Sequence, residues 1–273
     1  MFFQLQPRSA NYSPISRPHY YLSSRRRRSE IATMKYFVPL VVSLALLLVD
    51  SAIQLALISA MVGYLHRSGA NQYLFAYNDT SVFVNAKPKG LLLNEGHTSN
   101  GAAGSALVLV CFGGFFMIWW LRRRAARNVR KPSYLFVAYT VVSILALVLT
   151  LVALSWTFAL TNQTSGQHIN TLIAAQSQHN AYPADEWTPG TWTDALLDLP
   201  LIYKKDRAYL KHWRHVIEGW KWNAIPLFLV ESVAVVFICL TFWEDWKVES
   251  YTEKNMSPHD TSGGALHQSG IQA

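Results

Sequence analysis

Two carboxylates sit where a carboxylate is costly. Asp50 lies at the middle of one long apolar run, and Glu231 lies within a turn of the centre of another. A mid-bilayer acid costs about 3 kcal/mol even on lenient insertion scales, so each should face the inside of a helix bundle and have a partner. Gln54 and Ser43 share the helical face of Asp50 at i+4 and i−7. A third run carries a hydroxyl stripe, Thr140, Ser143, Thr150 and Thr157, on roughly one face. Two chemistries fit this spacing. Asp50 and Glu231 could share a proton, as two close carboxylates must, and form a proton or cation site with Gln54, Thr140 and Ser143. Alternatively each acid is neutral and bonded to a hydroxyl or carbonyl, as glue between helices. Four helices without broken segments leave little room for a translocation path, which favours glue.

Other chemistry finds little support. His66, His97, His168, His179, His212 and His215 fall in polar segments, and His212 and His215 stand at i+3 with Asp185 and Glu186 elsewhere in the same loop. There is no HExxH pattern or multi-histidine box, so no metal and no cofactor is expected. No nucleophile, metal box or cofactor loop points to an enzyme. Cys111 and Cys239 both lie in apolar runs, which leaves no loop disulfide and suppresses thiolate reactivity.

These residues imply elements to hold them. Apolar types make up 51% of 273 residues and charged types only 15%, against about 25% in soluble domains. The apolar residues cluster into four nearly uncharged stretches, and a bilayer core of about 30 Å needs about 20 of them in helical form. The expected fold is all-α, a four-helix transmembrane bundle with spans at 36–65, 102–121, 134–160 and 224–243. Ser133 reads as the N-cap of the third span, and Pro226 falls in the first turn of the fourth, where its missing N–H does little harm. Ala52, Ala56 and Ala60 form a small-residue ridge on span one, and Gly113-Gly114 a notch in span two. Packing within the bundle is the expected use of both.

Charge sets the orientation. The net charge of +8 does not point to nucleic acid, because thirteen of the 24 basic residues lie in 1–35 and 122–131, flanking spans. The 122–133 loop holds six basic residues and no acid, follows Trp119-Trp120 at the end of span two, and reads as cytoplasmic. By alternation both termini are cytoplasmic, and 66–101 and 161–223 are the outer loops. Residues 1–35 read as a disordered basic tail, and 244–273 as a disordered cytoplasmic tail. The Arg- and Ser-rich start also resembles a mitochondrial presequence, but Pro7, Pro14 and Pro18 interrupt the helix such a signal needs. Met34 directly precedes span one and offers a second start site.

The first outer loop reads as polar, with a glycosylation sequon at Asn78-Asp79-Thr80. A second sequon, Asn162-Gln163-Thr164, abuts span three. The second outer loop reads as partly helical. Thr188-Pro189 is an N-cap with proline at N1, and Trp192, Leu196 and Leu199 share one face of a short helix stopped by Pro200. Leu210, Trp213, Ile217 and Trp220 then recur at helical spacing in a Trp-rich basic segment, 203–222, expected to lie in the membrane interface plane. Trp187, Trp192, Trp213, Trp220 and Trp222 are the expected membrane-interface or partner surface.

The pattern WTPGTW at Trp187–Trp192, with DALLDLPL at Asp194–Leu201, GWKWNAIPLF at Gly219–Phe228 and LLVDSAIQLALISAMVGYLH in span one, resembles predicted four-span membrane proteins of filamentous fungi. The resemblance implies the four-span architecture and a fungal source, and it transfers no catalytic residue. The expected function is a non-enzymatic scaffold or interaction protein of the plasma membrane or secretory pathway. It would act through its second outer loop on lipids, a protein partner or a second copy. The alternative is a small proton- or cation-linked transporter centred on Asp50 and Glu231.

Overall fold

A computed structural model describes residues 36–126 and 134–256. Helix α1 (Phe37–Ser68) leads into a β-hairpin, β1 (Gln72–Tyr77) and β2 (Thr80–Asn85). Helix α2 (Asn94–Ser105) passes through a π-helical segment, Ala106–Phe112, into α3 (Gly113–Ala126). Helix α4 (Tyr134–Gln163) is followed by the short α5 (Thr171–Gln176), by α6 (Pro189–Asp198) and by α7 (Lys204–Met256). Four helices are long and apolar enough to cross a membrane: α1, the joined α2–α3, α4 and α7. The fold is thus an all-α four-helix bundle of an integral, multi-pass membrane protein. The N-terminal tail, Ser133 and most of the basic loop, and the chain end lie outside the described residues.

Helix α7 packs against α1 and α4, and α2 packs against the same two helices. Neighbours run antiparallel: Tyr64 of α1 stacks on Trp213 of α7, and ten residues earlier in α1 Gln54 meets Asn223, ten residues later in α7. The notch at Gly113-Gly114 is used inside the bundle. A Cβ at Gly114 would come within 2.7 Å of both Leu44 Cδ1 and the Tyr139 hydroxyl. That hydroxyl donates to the Val110 carbonyl, within the π-helical segment, at 2.9 Å. Gly114→Leu should therefore destabilise the bundle by about 1–3 kcal/mol or more, read as a lower unfolding temperature in detergent, whereas Gly104→Leu, where a Cβ meets nothing within 4 Å, should not. The ridge does not behave like the notch. Ala52, Ala56 and Ala60 are exposed, because the α1 face that packs inward is the one carrying Leu47, Ser51, Gln54, Ile58 and Met61.

Four expectations change. The first long loop is not merely polar: its Asn78-Asp79 pair, with φ of 45° and 58°, makes the two-residue turn of a hairpin. Tyr73, Phe75, Val82 and Val84 bury one face of it at period two. The second span's helix begins at Asn94, eight residues before the expected start. The expected interfacial segment 203–222 is not a separate helix, because from Lys204 it is the first part of α7. Leu210, Trp213, Ile217, Trp220, Ala224, Leu227, Glu231, Ala234 and Ile238 continue one inward stripe at alternating spacings of three and four. A helix whose buried stripe never changes phase has no reason to bend away at the membrane. Pro226 is consequently inside a helix rather than at its start. Last, α7 continues to Met256, so 244–256 is helical rather than a disordered tail.

Candidate functional site

The two long loops fold on one another. Segment 200–202 pairs with the hairpin, Ala76 N–H donating to the Pro200 carbonyl and Ile202 N–H to that of Leu74. Lys89 N–H donates to the Tyr182 carbonyl, Leu92 N–H to that of Trp187, and Trp187 N–H to that of Gly90. Gly90 permits this approach, since a Cβ there would collide with the Asp185 carbonyl. The core between the loops holds Phe75, Tyr182, Trp187, Trp192, Leu196 and Leu210. The WTPGTW pattern explains the local order: Thr188 and Thr191 form a reciprocal capping box, with Pro189 at N1 of α6. Trp187 and Trp192 then meet edge to face at 5.1 Å.

This arrangement corrects the expected tryptophan surface. Trp187 is 0% exposed, and the Trp192 indole donates to the Ala86 carbonyl of the other loop at 2.8 Å. Trp220 is buried in the bundle, and Trp213 is half-buried on Tyr64. Only Trp222 of the five, 57% exposed, presents its ring outward, beside Phe158 with Lys221 over both rings. With no disulfide in either loop, the aromatics are needed to hold the loops together. The hairpin's Tyr73 is buried beside Tyr64 of α1, and burial pushes its phenol pKa up. Asn78 lies exposed at the hairpin tip.

Below this domain, Gln54 is the centre of a buried polar network. Its Nε2 donates to Ser99 Oγ at 3.3 Å and to the Trp220 carbonyl at 3.2 Å, and its Oε1 accepts from Asn223 Nδ2 at 3.0 Å. Trp220 Nε1 also donates to Ser99, at 3.1 Å. One side chain thus joins α1, α2 and α7. Asp50 lies beside Asn223, and its Oδ2 has no partner. Glu95, one turn before Ser99, is buried with an unpartnered Oε2. Sequence reasoning missed Ser99, Asn223 and Glu95, because each lies outside the apolar windows that defined the spans.

Glu231 is a separate case. It is 0% exposed, both its oxygens lack a hydrogen-bond partner, and it sits beside Thr150 and Cys111. Asp50 and Glu231 therefore share no hydrogen bond. Of the hydroxyl stripe Thr150 lies beside Glu231, while Thr140, Ser143, Thr150 and Thr157 each donate to the carbonyl four residues back in their own helix. Among the described residues no three His, Cys, Asp or Glu side chains converge on a point.

Fold and site together define a multi-pass membrane protein with a folded loop domain and a polar bundle interior. Compared with protein families, curated proteins and solved structures, the chain matches none.

Proposed function

We propose that this chain is a non-enzymatic interaction protein of the plasma membrane or secretory pathway, with both termini cytoplasmic and its loop domain on the outer side. The observation that carries this reading is the consolidated core joining the two loops, built on a helix that runs unbroken from Lys204 through the membrane. A domain so joined presents a fixed surface, and a partner meeting a fixed surface loses little ordering entropy on binding. The membrane lipids, a protein ligand or a second copy are the partners this surface could take, and the fungal resemblance belongs to the same reading.

A second reading rests on the unpartnered oxygens of Glu231 and Asp50. Acids buried within membrane helices are a common mark of proton or cation paths. One experiment separates the two. Photo-crosslinkers at exposed Ile202 and Tyr203 should trap a neighbour in native membranes, with the crosslink lost in Trp192→Ala and kept in Glu231→Gln. Proton or cation flux into liposomes that vanishes in Glu231→Gln would instead support transport and overturn the interaction reading.

A further inference from the structure

The hairpin tip carries chemistry that the proposed function does not use. Asn78, Asp79 and Thr80 form an N-x-T acceptor sequence, all three residues are exposed, and no hydrogen bond among the described residues holds the Asn78 side chain. The chain has three other such sequences, and each is less available. At Asn162-Gln163-Thr164, Thr164 is buried where α4 meets the loop domain. Its hydroxyl donates to the Leu160 carbonyl at 3.0 Å and accepts from Thr191 at 3.3 Å. Asn162 itself is in the last turn of a membrane helix. Asn11-Tyr12-Ser13 and Asn255-Met256-Ser257 are each followed by proline, Pro14 and Pro258, and the proposed orientation puts both on the cytoplasmic side.

We propose that Asn78 is N-glycosylated and that it is the single glycan-bearing asparagine of this chain. The donor class is a lipid-pyrophosphate-linked oligosaccharide. Asn78 Nδ2 forms a bond to the sugar C1, the C1–O bond to pyrophosphate breaks with its electron pair leaving on the lipid pyrophosphate, and the amide gives up one proton. The folded hairpin bears on the timing. Thr80 Oγ1 donates to the Tyr77 carbonyl at 2.7 Å and the turn is closed by the Tyr77–Thr80 pair, so the acceptor must be read on the nascent chain before the hairpin forms. Afterwards the tight turn projects the glycan into solvent, away from the Trp187–Trp192 core. A partner of the loop domain would then dock away from the hairpin tip, on the surface bearing Ile202 and Tyr203.

The inference rests on the proposed orientation, and the test keeps the two apart. The full-length protein with a C-terminal tag is made in sealed microsomes and treated with an endoglycosidase that removes N-glycans. Digestion should produce one mobility shift, absent in Asn78→Gln and retained in Asn162→Gln, with the tag open to added protease. A wild-type chain unmoved by digestion, with the tag still open, would overturn the glycosylation of Asn78 and leave the orientation standing. A protected tag, with a shift that survives Asn78→Gln and disappears in Asn11→Gln or Asn255→Gln, would overturn both.

Discussion

Replacing Trp192 by alanine should unfold the loop domain and leave the four helices inserted. Truncating a buried aromatic to alanine costs about 3–5 kcal/mol. Trp192 also supplies the indole hydrogen bond that ties the second loop to Ala86 of the first. A core of this size has about that much stability to lose, because small domains without disulfides rarely hold more than about 3–5 kcal/mol. Protease added to the loop side of reconstituted vesicles should therefore cut Trp192→Ala within both 72–92 and 182–202. Trp222→Ala, whose ring contributes little to any core, should resist like the wild type. Unchanged resistance in Trp192→Ala would show that the two loops do not depend on one shared core.

Gln54→Ala is the corresponding lesion in the membrane. Three interhelical hydrogen bonds go with the side chain. At about 0.6 kcal/mol each they contribute about 2 kcal/mol, and the space left behind adds on the order of 1 kcal/mol. Two of the three groups that lose the Gln54 amide, Asn223 and the Trp220 carbonyl, are on α7, so α7 should loosen from α1 first. Thr140→Val removes a hydroxyl that donates only to its own helix and should cost less than about 1 kcal/mol. Unfolding of both variants in detergent tests the difference, and equal losses would mean that the Gln54 network does not hold the bundle.

The four spans were legible because an apolar run of about 20 residues has few other uses. The pairing of the spans was not, since it depends on which side of each helix meets a neighbour. Gln54 was identified from sequence only as a companion of Asp50 on one face of α1, and the hydroxyl stripe of α4 was expected to partner the acids. The partners of Gln54 are Ser99, in a stretch read as loop, and Asn223, at a boundary drawn one residue before α7's presumed span. The stripe of three-four spacing from Leu210 to Ile238 was present in the sequence and would have revealed one continuous helix. Cutting the chain where hydropathy falls concealed it. The hairpin was also readable, as Asn-Asp between two alternating runs, QYLFAY and TSVFVN. The burial of Trp187 and Trp192 was not, because aromatic surface and aromatic core have the same composition. Only the crossing of the two loops makes these rings interior.

That crossing is the central claim, and hydrogen exchange on the membrane-embedded protein tests it most directly. The amides of Ala76, Ala86, Lys89, Leu92, Trp187 and Ile202 all donate within or across the loop domain. Segments 72–92 and 182–202 should exchange slowly, at a common rate, and lose protection together in Trp192→Ala. A first loop that exchanges at the rate of a free chain while 182–202 stays protected would contradict the account.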